Sequence, residues 1–219
     1  MARAADPRAE IGRALCVGVG ADADARMFAA LAAERGFAES VLLLDEAATR
    51  AAVRAKLLQM AALSEPGDLF LLTFCGHGGR TRTRVRGDDL QDVGTWQLYD
   101  GTLNDAQLKA DLACFQQGVR VLVVSDSCGG GMPALQPSDL KASVLVFAAC
   151  QEGAYADGAG LPGHFADAVR RTLNDGGLND TYGAFHEALC HAMPPYQKPD
   201  YYRLGVPDAA FEAQQPFTI

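Results

Sequence analysis

Two short segments carry the residues best suited to chemistry: Cys128 in Ser-Asp-Ser-Cys-Gly-Gly-Gly and His77 in Cys-Gly-His-Gly-Gly. Each segment follows an apolar run, 69–74 or 119–124, that predicts a buried strand of a parallel sheet. Ligands of open α/β sheets bind beyond the carboxyl ends of the strands, so neighbouring strands would bring thiol and imidazole together. Because an imidazole can stabilise a thiolate, the pair predicts nucleophilic catalysis.

Core packing and metal binding are the alternatives to catalysis for these residues, and both stay open. Cysteine is among the most buried residue types, so Cys128 could simply pack in the core. Alternatively, Cys75, His77, Cys128 and Cys150 all fall at or just beyond strand ends and could bind zinc as a tetrahedral set. The chain has no Cys-x-x-Cys pair, which weighs against zinc. The glycines after Cys128 favour catalysis, because they let backbone N–H groups approach a substrate oxyanion.

Strand and helix patterns alternate along most of the chain, which predicts a parallel sheet with helices on both faces. The length of 219 residues fits one domain with a sizeable core. Segments 129–141 and 151–163 are predicted loops, and 80–99 is interpreted as a hairpin or long loop over the sheet. The predicted strands are 14–19, 40–44, 68–74, 119–124, 144–149 and 200–205. Five helices are predicted. The first is capped by Asp22 or Asp24 and ends at Gly36, the second covers 46–63 after the cap Asp45, and the third runs from the cap Asn104 to about 115. The last two cover 164–174 and 181–192.

Composition narrows the classes of partner. The net charge of −8 argues against nucleic acid or an anionic membrane as the partner and is compatible with a cationic substrate. No apolar run reaches the ~18 residues of a membrane span, and the first residues lack the apolar segment of a signal peptide. The six evenly spread cysteines predict free thiols in a reducing cytoplasm.

Taken together, these motifs resemble those of the caspase-like cysteine peptidases, and within them the bacterial metacaspase or orthocaspase branch. The family's strand ending in Ser/Cys-Gly-His-Gly is similar to LFLLTFCGHGG, its Asp-Ser-Cys-His-Ser-Gly motif to VRVLVVSDSCGGG, and its first helix to ADARMFAALAAERGF. The resemblance covers nearly the whole chain. It implies a caspase-like three-layer sandwich whose mostly parallel six-stranded sheet has helices on both faces. It also implies one peptidase domain, with a large-subunit-like part at about 1–131, a linker at about 132–142 and a small-subunit-like part at about 143–219.

The resemblance further implies a catalytic dyad that cleaves proteins or peptides without a cofactor. His77 would be the base and proton donor, Cys128 the nucleophile, and the N–H groups of Gly78 and Cys128 the oxyanion hole. The acidic pocket of metacaspases maps onto Asp24 and Asp126, with Asp157 at its border, which implies cleavage after arginine or lysine. The alternatives are that Asp24 caps a helix and that Asp126 hydrogen-bonds a turn.

Several features separate this chain from the family pattern. Three glycines, 129–131, replace His-Ser-Gly after the cysteine, and the loop after Cys150 also differs. The second hypothesis is therefore a catalytically weak or inactive caspase-like binding module. Lys141 lies where relatives are cut into two subunits. Calcium, which many metacaspases bind through acidic residues, would have Asp88, Asp89 and Asp92 available, although an acidic surface turn is the commoner role of such residues. A role in a stress or defence response rests on analogy alone.

Overall fold

Nine strands and six α-helices make up the described part of the chain, which covers residues 8–86, 89–127, 140–149, 164–174, 181–195 and 197–219 of a computed structural model. At 82–86 and 89–92 only the backbone is described. The strands are β1 (Gly12–Val19), β2 (Glu39–Leu44), β3 (Leu69–Gly76), β4 (Gly78–Arg86), β5 (Asp89–Leu98), β6 (Gly101–Asn104), β7 (Arg120–Asp126), β8 (Ser143–Ala148) and β9 (Asp200–Gly205). The helices are α1 (Asp22–Glu34), α2 (Arg50–Leu63), α3 (Asp105–Leu112), α4 (His164–Asn174), α5 (Tyr182–Ala192) and α6 (Ala209–Ala213).

Six of the strands form one sheet in the order β2-β1-β3-β7-β8-β9. All neighbours are parallel except β8 and β9, which pair antiparallel. The predicted fold class, a mostly parallel six-stranded sheet with helices on both faces, is confirmed. The strands that were predicted from apolar runs all belong to this sheet, within one or two residues at their ends.

Side chains alternate between the two faces of the sheet and build a separate core on each. In β3, Leu69, Leu71 and Cys75 pack in a first core with residues of α1, α4, α5 and α6. Their neighbours Phe70, Leu72 and Phe74 pack in a second core with residues of α2 and α3. This strand is buried over seven of its eight residues, which explains why its sequence is a continuous apolar run.

A smaller antiparallel sheet, in the order β4-β5-β6, joins the second core. The predicted hairpin is confirmed as the β4–β5 pair, while β6 was not predicted. The indole of Trp96 on β5 attaches this sheet to the large one, because it stacks on the ring of Phe74 with a centroid distance of 4.7 Å. The small sheet therefore lies against β3 where that strand nears its carboxyl end.

Two of the predicted helix starts were wrong. The helix predicted over 46–63 begins at Arg50, where the side chain of Thr49 accepts a hydrogen bond from the N–H of Ala52. Asp45 instead accepts from the N–H of Gly20, 2.9 Å away, and begins a short 3-10 turn. Asp45 does accept a hydrogen bond from a backbone N–H, as a helix-capping side chain would. Its donor, however, is the distant Gly20 and not a residue of α2.

The start of α1 also differs from the prediction. Its N-cap is Ala21, and no side chain makes a capping hydrogen bond there. Asp22 and Asp24 lie in the first turn of the helix instead, so the alternative role of Asp24 as a helix cap is wrong. The capping box of Asn104 and Gln107 at α3 is confirmed, and α6 was not predicted. Within the described residues, no helix has both the length and the apolar character to cross a membrane.

Candidate active site

The candidate site lies at the carboxyl edge of the large sheet, where β1, β3 and β7 end side by side. Gly18 on β1 pairs with Cys75 on β3, and Cys75 pairs with Asp126 on β7. The next residue of β3, Gly76, has a φ of +155°, and an added Cβ would lie 2.8 Å from the carbonyl oxygen of Val19. Glycine is therefore required at this point, where the chain leaves the sheet.

His77 follows directly, and its side chain is exposed. Its carbonyl oxygen accepts a hydrogen bond from the N–H of Gln97 on β5, 2.9 Å away. The next residue, Gly78, lies opposite Trp96 in the β4–β5 ladder. Since the bond joins positions 77 and 97, Gly78 and Trp96 form a non-hydrogen-bonded pair, and the N–H of Gly78 is directed away from β5.

Several predicted site residues lie outside the described part of the chain: Cys128, Cys150, Asp157 and Asp88. The residue before Cys128 is described. Ser127 is buried, and its hydroxyl oxygen lies 2.9 Å from that of Ser125. Trp96 donates its indole N–H to the Ser125 hydroxyl, also over 2.9 Å. The approach of the chain to position 128 is therefore fixed by side chains of two different sheets.

The two acids that the sequence assigned to a substrate pocket lie near each other. Asp126 projects to the face of the sheet that α1 and α4 cover, and its carboxylate accepts a hydrogen bond from the backbone N–H of Ala166 in α4. Its Oδ2 is buried and has no hydrogen-bond partner among the described residues. Burial, together with the charge of Asp24, raises the pKa of Asp126 to about 7. This arrangement can accept a cation, because an incoming positive charge would relieve both effects.

Cys75 lies beside these acids but inside the core. It is fully buried, and burial followed by the charges of Asp126 and Asp24 raises the pKa of its thiol well above the usual value. Among the described residues, no three His, Cys, Asp or Glu side chains are grouped so that they could hold a metal ion. The described members of the predicted zinc set, Cys75 and His77, therefore give zinc no support.

Of the predicted calcium residues, the structure describes only the backbone of Asp89 and Asp92. Asp89 and Asp92 both belong to β5. Each pairs with an arginine of β4 in the ladder, Asp89 with Arg86 and Asp92 with Arg82. The side chains of these two residues lie outside the described part of the structure, so the calcium site stays a prediction.

Lys141, the predicted self-cleavage position, is exposed just before β8. Its neighbours Leu140 and Ala142 are buried, and the carbonyl oxygen of Ala142 accepts a hydrogen bond from the N–H of Val206. Cleavage after Lys141 would therefore require this segment to open locally.

Comparison with known proteins identifies the family. The family model described as the caspase domain matches residues 18–210. The chain belongs to the caspase-domain family. This family comprises cysteine peptidases, which act on protein substrates and in general need no cofactor. The predicted resemblance to caspase-like peptidases is thereby confirmed, and the matched span includes both His77 and Cys128.

Solved structures agree with this membership. Protein GSU0716 from Geobacter sulfurreducens is 32% identical to this caspase-domain protein, with a TM-score of 0.83 over 95% of this chain and 99% of that one. Caspase-1 from Spodoptera frugiperda is 13% identical, with a TM-score of 0.54 over 94% of this chain and 91% of that one, and shows the shared fold. No protein of curated function matches the sequence.

Sequence reasoning missed the hydrogen-bonded residues beneath the site: Trp96, Ser125 and Ser127. Trp96 is the only tryptophan of the chain, and the two serines alternate at the end of an apolar strand. A polar side chain on the buried face of a strand needs a partner, so the position of Ser125 was a usable signal. The identity of its partner was not, because Trp96 is 29 residues away.

Proposed function

We propose that this caspase-domain protein is a cysteine endopeptidase in which Cys128 is the nucleophile and His77 the general base and acid. The observation that carries the proposal is the pairing of Cys75 with Asp126 on neighbouring parallel strands. His77 and Cys128 each lie two residues beyond that pair. Neighbouring strands are about 4.8 Å apart, so residues that closely follow two paired strand ends start near each other at one edge of the sheet. A thiol and an imidazole can span that separation.

The proposed reaction is acyl transfer. His77 removes the thiol proton of Cys128, the thiolate attacks the peptide carbonyl carbon, and the C–N bond breaks as His77 gives its proton to the departing amine. Water then hydrolyses the thioester with His77 as base, which restores the thiol. The N–H of Gly78, directed away from β5, and that of Cys128 are the proposed donors to the oxyanion.

The proposed substrates carry arginine or lysine before the scissile bond. A buried carboxylate oxygen without a donor is energetically unfavourable, and Asp126 has such an oxygen next to Asp24. A guanidinium supplies N–H donors for the unpartnered Asp126 oxygen and a positive charge that would offset the repulsion between Asp126 and Asp24. Asp157 is proposed to border the same pocket. A dedicated protein substrate in a stress or defence response is supported by family analogy alone.

Fluorogenic peptides ending in arginine test the proposal. Wild-type protein should release the fluorophore, and Cys128→Ala and His77→Ala should each lower kcat/KM at least about a thousandfold, because each removes a reacting group. Turnover that survives in Cys128→Ala would overturn the dyad. Peptides ending in aspartate should be poor substrates, and a preference for them over arginine would contradict the basic specificity.

A second cysteine–histidine pair in the same chain provides a matched control. The Sγ of Cys190 lies 3.4 Å from the Nε2 of His186 on α5. That nitrogen also contacts the carbonyl oxygen of Pro199 at 3.0 Å, so it must carry its proton there and cannot act as a base toward the thiol. Cys190→Ala and His186→Ala should therefore leave turnover unchanged.

The alternative function is a caspase-shaped binding module. It is supported by the three glycines, 129–131, that replace polar residues after the cysteine. In that case wild-type protein would bind arginine peptides without turning them over, and binding would survive in Cys128→Ala. No cofactor is required for the proposed reaction, and the weaker prediction of a calcium site is tested by rates measured with calcium and with a chelator: equal rates would remove it.

A further inference from the structure

Adjacent residues of β5 contact both segments that lead to the proposed dyad. The backbone N–H of Gln97 donates to the carbonyl oxygen of His77 over 2.9 Å. The indole N–H of Trp96 donates to the hydroxyl of Ser125, near the end of β7, also over 2.9 Å. Both residues belong to the small sheet, which supplies neither the thiol nor the pocket acids. One short stretch of that sheet thus connects two strand ends of the large sheet.

The connection to β7 continues to the residue before Cys128. The hydroxyl oxygens of Ser125 and Ser127 lie 2.9 Å apart, and both side chains are buried. An indole nitrogen can only donate, so Ser125 accepts from Trp96, and either serine hydroxyl can donate in the bond between Ser125 and Ser127. The resulting hydrogen-bond chain connects Trp96, Ser125 and Ser127.

Packing fixes the origin of this chain. Trp96 is 1% exposed, and its ring stacks on Phe74 at an interplanar angle of 13°. Phe74 is three residues before His77 on the same segment. The indole therefore touches the histidine segment with its face and the cysteine segment with its N–H. A shift of either segment would break a buried contact.

We propose that Trp96 is a positioning residue whose hydrogen-bond chain through Ser125 and Ser127 sets Cys128 against the histidine segment that Gln97 holds. The small sheet is then the element that holds the two strand ends in mutual register. This inference rests on the proposed function, because it assigns the register to a Cys128–His77 dyad. Misplacing reacting groups by about 1 Å can lower a rate on the order of a hundredfold, so such positioning affects the rate of the chemical step.

The test combines Trp96→Phe, Ser127→Ala and the double variant. Trp96→Phe keeps an aromatic ring on Phe74 and removes the N–H donor. Each single variant should lower kcat for an arginine peptide about tenfold with KM within about twofold, since the pocket acids are untouched. The double variant should lose no more than either single variant, because both break the same chain. Ser64→Ala is the matched control: Ser64 is a buried serine bonded to the carbonyl of Met60, and this variant should keep full activity.

The rate of Cys128 alkylation by iodoacetamide, followed by peptide mapping, gives a second readout that needs no turnover. In the Trp96→Phe and Ser127→Ala variants, Cys128 should be alkylated about fivefold more slowly at pH 7, because an imidazole displaced from the thiolate stabilises it less. Kinetics and alkylation within twofold of wild type in both variants would overturn the inference, as would losses that multiply in the double variant. If the wild-type protein shows no turnover but the alkylation rate of Cys128 still depends on Trp96, the peptidase function is wrong and the positioning role of Trp96 stands.

Discussion

Two aspartates at opposite edges of the same sheet, the buried Asp68 and the half-buried Asp126, have opposite surroundings. Asp68, just before β3 at the amino edge, accepts hydrogen bonds from Arg8 and Arg13 at 2.7 and 2.9 Å and from the N–H groups of Ile11 and Glu65. Burial alone would raise its pKa, but these donors outweigh burial and the pKa is lowered. Asp126, at the carboxyl edge, has one backbone donor and an acidic neighbour, and its pKa is raised to about 7.

The difference separates a carboxylate that stabilises the fold from one whose charge is left uncompensated. At the amino edge every donor comes from the chain itself, so Asp68 contributes to folding. At the carboxyl edge the chain supplies a second carboxylate, Asp24, where a cation would be expected. A protein keeps such an arrangement at a cost in stability, and that is characteristic of sites that receive a ligand.

The largest expected effect is on the amino edge. Asp68→Ala leaves Arg13, whose side chain is 13% exposed, and two backbone donors without their acceptor. We expect the free energy of unfolding to fall by about 3 kcal/mol, because removing one partner of a buried pair strands the other. Urea denaturation at pH 7.5 measures it. A loss below 1 kcal/mol would show that solvent replaces the carboxylate, and it would contradict the claim that Asp68 stabilises the fold.

The second expected effect concerns Asp126 at the carboxyl edge of the sheet and should appear in the peptidase activity. Asp126→Asn should lower kcat/KM for arginine peptides about a hundredfold, because it removes half of the proposed cation site. The free energy of unfolding at pH 7.5 should stay equal or rise, since a repelled buried charge is removed. Peptides ending in citrulline, the neutral isostere of arginine, serve as the matched substrate and should lose little. A loss of stability similar to that of Asp68→Ala would contradict the account.

A third effect is in the pH dependence of stability. The pKa of Asp126 is higher in the folded state than its ordinary value of 3.8, so between about 4 and 7 the folded protein binds more protons than the unfolded chain. This group therefore makes folding less favourable as pH rises through that window, by up to about 1.4 kcal/mol per pH unit. Asp68, with a lowered pKa, acts in the opposite direction and loses its contribution only in acid.

Urea denaturation of wild type and Asp126→Asn at pH 5, 6 and 7 isolates the Asp126 contribution. The difference in stability between the two proteins should grow with pH in favour of the variant. A difference that is constant over this range would show that Asp126 titrates as an ordinary surface carboxyl.

The sequence predicted the large sheet well because its strands are continuous apolar runs, and such runs in a parallel sheet have few alternatives. Local hydrogen bonds were also predictable when both partners are close in sequence, as in the capping box of Asn104 and Gln107. Asp45 shows the limit: the same residue type before a helix bonds to Gly20 instead, 25 residues away. Short elements such as β6 and α6 have too few residues for a periodic pattern.

The candidate site was predictable to a similar extent. The dyad hypothesis required the carboxyl ends of β3 and β7 to be neighbours, and the two strands do pair. The family resemblance singled out Asp24 and Asp126, and burial together with the charge of Asp24 raises the pKa of Asp126. The chain from Trp96 to Ser127 was not predictable, because it depends on how a second sheet packs against the first. Distant contacts of that kind leave no periodic trace in a sequence.

The most direct test of the account uses a thiol-reactive peptide ketone with arginine at its reactive end, followed by digestion and mass mapping of the adduct. The account predicts one adduct, on Cys128, whose formation is much slower in His77→Ala and in Asp126→Asn. An adduct found on Cys190 or Cys114 instead, or labelling of Cys128 at the same rate in both variants, would contradict it.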